Sequence, residues 1–326
     1  MKTIEKYIKE SLLDDEEDLV DSPLYHPKDK NELIEAIISC LENKIYDLNC
    51  IDTSKITDMN HLFDSGHFYA SYNPLEKYIA YFNKINISKW DVSNVEDMCG
   101  MFKYSNFNGD ISKWNVRNVE DMSNMFNNSK FNNDISKWDV SNVKYMNYMF
   151  KDSIFNKDIS KWNVSKVIYM NNMFDGSKFN KDISKWDVRN VVNMNYMFEE
   201  SKFNKDISKW DVRNVEKMSY MFAYSKFNGD ISKWNVSNVL DMSCMFFGSI
   251  FNGDISKWDV RKVRNMSYMF NWSKFNRDIS KWNVSNVILY DKIFDHCQIE
   301  EKYKPKFKGD VSKWNVSKDT STTNMF

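Results

Sequence analysis

Apolar residues return along this chain in one fixed order. Between residues 107 and 130 they are Phe107, Ile111, Trp114, Val116, Val119, Met122, Met125 and Phe126, and a tryptophan recurs every 24 residues from Trp90 to Trp282. A last copy, Trp314, follows 32 residues further on. Self-similarity at this period marks an array of stacked supersecondary units, which grows by adding units rather than by enlarging one core.

Inside one unit two periods follow each other. Ile111, Trp114 and Val116 have the spacing L-x-x-L-x-L, and Lys113, Asn115 and Arg117 alternate with them, which predicts a strand with one buried face. From Val119 the apolar positions Met122, Met125 and Phe126 fall on one face of a short helix. Ser93 and Glu96 have capping-box spacing at the corresponding switch one unit earlier. Residues 129–134 carry the Ser, Asn and Asp of a turn. The expected fold is therefore α/β: a leucine-rich-repeat-like solenoid of about ten strand-turn-helix coils, stacked about 4.8 Å apart, with a helical N-terminal cap. A single unit buries too little apolar surface to offset the ordering of its backbone, so its stability must come from its neighbours.

Three regions are expected. Residues 1–28 form an acidic N-terminal arm, with an amphipathic start at Ile4, Tyr7, Ile8, Leu12 and Leu13 before the acids of 14–18. Residues 29–46 form a capping helix, begun by Asp29 with Glu32 three residues on and carrying Leu33, Ile34, Ile37, Ile38 and Leu41 on one stripe. Residues 47–326 are the repeats. The first copy is degenerate, with Ile51 in the tryptophan position, and an insertion at about 66–80 is expected to loop out. The last copy, residues 307–326, ends partway through its predicted helix, which leaves an apolar end for self-association or a partner.

Composition narrows the function classes. Apolar residues make up 42 % and the net charge is -1, so the chain can bury a continuous core and has no global attraction for nucleic acid or membrane. Cys40, Cys50, Cys99, Cys244 and Cys297 are odd in number and lack zinc or Cys-x-x-Cys spacing, which fits a reducing compartment. The start carries no signal-peptide pattern, so a cytoplasmic protein without membrane insertion is expected. The four histidines, His26, His61, His67 and His296, lie outside the repeat consensus. No catalytic, cofactor or metal residue is predicted. The weakest alternative, a hydrolytic site, could sit only in residues 47–82 near His61 and His67.

The unit F-N-x-D-I-S-K-W-[DN]-V-[SR]-N-V-x-x-M-x-x-M-F-x-x-S, carried by residues 48–326, resembles the BspA-like repeat, the DUF285 family, distantly related to leucine-rich repeats. The resemblance implies a repeat protein, often a bacterial surface lipoprotein or adhesin-like protein. Surface exposure is what that family would imply for this chain.

Because units stack, each repeat position becomes a column. The Asn and Ser columns are expected to bond turn backbone, and the Asp column from Asp110 to cap turns rather than bind calcium. The exposed strand face places lysine before the tryptophan of all ten units, as at Lys113, Lys137, Lys185, Lys209 and Lys257, with Arg117, Arg189, Arg213 and Arg261 beside it. Opposed Asp columns either neutralise this strip or leave it free for a polyanion such as nucleic acid or an acidic glycan. On the predicted helix exterior Tyr148, Tyr196, Tyr220 and Tyr268 share a column, either exposed for a protein partner or half-buried between units. The leading expectation is a non-enzymatic protein-protein interaction scaffold. Polyanion binding by the Lys/Arg face is the alternative.

Overall fold

Each repeat closes by overlapping turns. Trp114 N–H donates to Ile111 O at 3.2 Å, Val119 to Val116 at 3.0 Å, Met125 to Met122 at 3.2 Å and Ser129 to Phe126 at 3.2 Å. This geometry comes from a computed structural model that describes residues 23–66 and 73–297. Asn124 and Asn128, at φ 58° and 53°, occupy the third positions of the turns 122–125 and 126–129, where a type II turn requires positive φ. The same two columns are left-handed at Tyr148 and Asp152, at Asn172 and Gly176, and at Tyr196 and Glu200.

The strand-turn-helix coil is thereby corrected. A left-handed residue at every fourth position is incompatible with an α-helix, whose residues must all be right-handed. Met122, Met125 and Phe126 still point inward, because two turns of four residues bring the same side chains to one face as a helix would. The turns also use the backbone better. A helix of eight residues leaves four donors and four acceptors unpaired. Here Met122, Asn124, Phe126 and Asn128 donate to Tyr145, Asn147, Met149 and Lys151 of the next coil at 2.7–3.0 Å, and the residues between them close the turns.

The predicted strand is corrected too. Its in-out alternation holds, with Trp114 and Val116 buried between exposed Lys113, Asn115 and Arg117. No sheet forms among the described residues; isolated parallel bridges instead join one residue per coil, from Asp58 through Asp97 and Asp121 to Leu289. That bridging column lies seven residues after the tryptophan, outside the predicted strand. Ser93 takes its place in a turn capped by Asp91, at 2.9 Å, rather than at a helix start.

Phe, Ile, Trp, Val and Met columns fill one uninterrupted core. Phe126 stacks on Phe150 at 5.7 Å and on Phe131 at 4.3 Å, and Trp114 stacks on Trp138 at 6.4 Å. At the N-terminal end the helix α1 (Lys30–Glu42) packs Leu33, Ile37, Cys40 and Leu41 into that core. Asp29 accepts from Glu32 N at 3.0 Å, and Glu32 Oε2 accepts from Lys28 N at 2.9 Å, so two of the helix-entry amides are satisfied. Within the insertion, residues 73–80 pack inward: Leu75 and Tyr78 are buried, and Tyr78 donates to Glu42 of α1 at 2.8 Å.

Candidate interaction surface

The tryptophan side of each coil is sewn to its neighbour by side chains. Each of the eight indoles at the 24-residue spacing from Trp114 to Trp282 donates to the isoleucine carbonyl of the preceding coil, as Trp138 does to Ile111 at 3.0 Å. Asn118, Asn142 and Asn190 donate to the carbonyls of Ser93, Arg117 and Ser165 at 2.7–2.8 Å. The upstream Asn column works likewise, with Asn108 Oδ1 accepting from Asn132 N at 2.8 Å.

These bonds place the basic residues outward. Arg189 holds Asp187 and Arg261 holds Asp259, each through two guanidinium nitrogens at 2.7–2.9 Å, and Arg213 holds Asp211 at 2.8 Å. Hydrogen bonding to these arginines keeps the three carboxyls below their ordinary range. Arg117 approaches Asp139 only to 3.9 Å. The arginines are therefore largely neutralised within the coil stack.

The lysines are not. From Lys113 through Lys137, Lys185 and Lys209 to Lys257, no ammonium of this column comes within 4.0 Å of a carboxylate among the described residues. The Asp column is occupied elsewhere: Asp110 accepts from Ser112 N at 2.9 Å, and Asp134 and Asp158 repeat the contact with Ser136 and Ser160 at 2.9 Å. Those serine bonds hold the carboxyls below the usual range, and the lysines add a smaller field.

The tyrosine column divides. Tyr148, Tyr196 and Tyr220 are half-buried at left-handed corners, and Tyr196 stacks on Tyr220 at 4.6 Å. Tyr268 stays 36 % exposed. Among the described residues the most open aromatics lie four residues further on, where Tyr224 and Trp272 are each 51 % exposed. In the bridging column Tyr145 and Tyr169 are exposed and stack on each other at 5.8 Å. The turn geometry, which a helical reading hides, is what brings these positions to the surface.

Two polar clusters escaped the sequence pattern because they join successive coils. Lys151 pairs with Asp175, which also accepts from Asn172 at 2.9 Å. Beside them, burial and the Asp175 charge push the Glu199 carboxyl up to about 7. Near the first coil, His61 Nδ1 meets Asp64 Oδ2 at 2.7 Å and Cys99 is the imidazole's other side-chain partner, so its pKa rises to about 9. The ring lies over Gly100, where a Cβ would stand 2.6 Å from it. His67 and the final copy at 307–326 lie outside the described residues.

What these observations define is a repeat protein whose Phe, Ile, Trp, Val and Met core columns recur from coil to coil while its corner columns vary. The chain belongs to the family described as Mycoplasma protein of unknown function, DUF285, which matches residues 73–178, 129–226, 153–250 and 224–326. No curated protein and no solved structure matches it. No helix among the described residues is long and apolar enough to cross a membrane.

Proposed function

We propose that this chain is a non-enzymatic scaffold whose stacked coils present an extended surface to another protein. The observation that carries this reading is the contrast within one repeat. The core columns keep the same residues, whereas one exterior column runs Asn128, Asp152, Gly176, Glu200, Tyr224, Gly248, Trp272. A stacked array whose exposed corners vary can match a partner coil by coil, and tyrosine and tryptophan are enriched among the few residues that dominate binding energy at protein interfaces. The five free cysteines support a reducing, cytoplasmic setting for this role.

The test is site-specific photocrosslinking from position 224 or 272 in extract of the source cells. A discrete crosslinked protein, lost with Tyr224→Ala plus Trp272→Ala and retained at about 0.3 M salt, is the expected result. Crosslinks that ignore those substitutions would overturn the reading.

Polyanion binding is a second reading, favoured by Lys113, Lys137, Lys185, Lys209 and Lys257, whose ammonium groups have no carboxylate within 4.0 Å among the described residues. Its test is anisotropy of labelled single-stranded nucleic acid and of a sulfated glycan across a salt series. Each lost phosphate contact should flatten the slope of log K on log salt by roughly 0.7–0.9. Lys137→Glu, Lys185→Glu and Lys209→Glu together should abolish binding. Absence of binding at low salt would rule it out.

A further inference from the structure

Two of the five thiols meet. Cys40 lies in the last turn of α1 and is fully buried, Cys50 ends the 3-10 helix Leu48–Cys50 and is partly exposed, and their Sγ atoms are 3.8 Å apart. The approach is fixed from both sides. After α1, Ile45 N–H returns to the Cys40 carbonyl at 2.9 Å, which turns the chain toward Asp47. Asp47 then caps the short helix by accepting from Asn49 N at 3.1 Å, and its carbonyl lies 3.5 Å from the Cys50 sulfur. The Cys50 carbonyl accepts from Leu24 N at 2.7 Å and Tyr25 N at 3.2 Å. Three segments thus converge on this pair: residues 24–25, α1 and the first coil.

We propose that Cys40 and Cys50 are a reversible dithiol–disulfide pair which, by exchange with a low-molecular-weight disulfide, staples α1 to the first coil. The separation is van der Waals contact. Closing it to a bond length of about 2.05 Å asks for rotation of the partly exposed Cys50 side chain toward its partner. The order of events follows from exposure. The Cys50 thiolate attacks the small disulfide, forming Cys50–S–S–R and releasing one thiol R–SH once a proton is taken up. Cys40 then loses its proton and attacks the Cys50 sulfur, forming the Cys40–Cys50 bond and releasing the second R–SH. Two protein thiols are oxidised and one small disulfide is reduced to two thiols, so protons and electrons balance. The contact between the two thiols lowers the Cys50 pKa and, together with burial, raises that of Cys40, and this agrees with Cys50 being the attacking group.

The consequence falls on the N-terminal end of the coil stack. Leu33, Ile37, Cys40 and Leu41 of α1 share one core with Leu48, Ile51 and Ile56 of the first coil, and opening of that cap is the local unfolding step a staple would suppress. Cys99, Cys244 and Cys297 make their side-chain contacts with His61 and Ser123, with Tyr220 and Ser267 O, and with Ser273, so they serve as internal controls.

The experiment uses the full chain incubated with oxidised glutathione, followed by intact mass, denatured thiol titration, peptide mapping and hydrogen exchange. A loss of about 2 Da, a mapped Cys40–Cys50 link and recovery on reduction are expected. Exchange across 30–42 should slow roughly tenfold or more in the oxidised form. Cys40→Ser should accumulate a lasting glutathione adduct on Cys50. A wild-type chain that keeps all its thiols, bridges other cysteines or retains the adduct on Cys50 would overturn the pairing. Unchanged exchange across 30–42 in a correctly bridged chain would overturn the staple.

Discussion

Trp186 Nε1 donates to the carbonyl of Ile159 at 3.1 Å, a bond that joins two coils inside the core. The indole is 3 % exposed, so no water can replace it at that carbonyl. Trp186→Phe keeps an aromatic ring in the stack but orphans the acceptor, which should cost about 1–3 kcal/mol. Chemical denaturation of the variant checks this, with a midpoint equal to that of the parent as the contrary result.

Turn and helix make opposite forecasts at Asn128, an exposed residue with φ 53°. In a left-handed corner, Asn128→Gly should be more stable than Asn128→Ala by about 1 kcal/mol. In a helix interior the order would reverse by a similar amount. The two variants compared by denaturation midpoint decide between these backbones.

Glu199 makes stability depend on pH. Burial and the neighbouring Asp175 charge raise its pKa from 4.5 to about 7, so the folded chain binds this proton more tightly than the unfolded chain. Its contribution is then complete at a pH below 4.5 and is lost as pH rises through about 7. His61 acts in the same sense higher up: with a pKa raised from 6.5 to about 9, its support is complete below 6.5 and lost as pH passes 9. Melting temperature should fall between about pH 5 and pH 8, and Glu199→Gln should flatten that fall. An unaltered profile in the variant would assign the dependence to another group.

Neighbouring aromatics should separate by role. Tyr220→Ala removes a ring stacked on Tyr196 at 4.6 Å and should lower stability by about 0.5–1.5 kcal/mol beyond its lost burial. Tyr224→Ala and Trp272→Ala remove half-exposed rings that keep an edge contact with Phe247 at 5.1 Å and a stack on His296 at 4.5 Å, and should change stability by less than about 1 kcal/mol. A large loss at Tyr224 or Trp272 would recast them as packing residues, with no surface left to offer a partner.

Much of the interior could be read from residue order. Ile111, Trp114, Val116, Val119, Met122, Met125 and Phe126 are all buried, and α1 begins beside the capping carboxylate of Asp29. The surface was less legible. Arg189 and Arg213 face aspartates two residues away, a local contact that spacing permits without imposing. Lys113 and Lys137 miss their Asp column because Asp110 and Asp134 turn back to Ser112 and Ser136, a choice between a distant ammonium and an adjacent amide.

Residue order alone settles the period and the inward-facing side chains, because burial follows from hydrophobicity and repeats wherever the residues repeat. Backbone conformation was decided only in the stacked chain. Met122, Met125 and Phe126 satisfy a helix and a pair of four-residue turns equally well, and nothing local separates them. The choice rests with the carbonyls of Tyr145, Asn147, Met149 and Lys151, which accept the N–H groups that a short helix would leave unpaired. Those acceptors lie on the next coil, so the conformation of each repeat belongs to the pair.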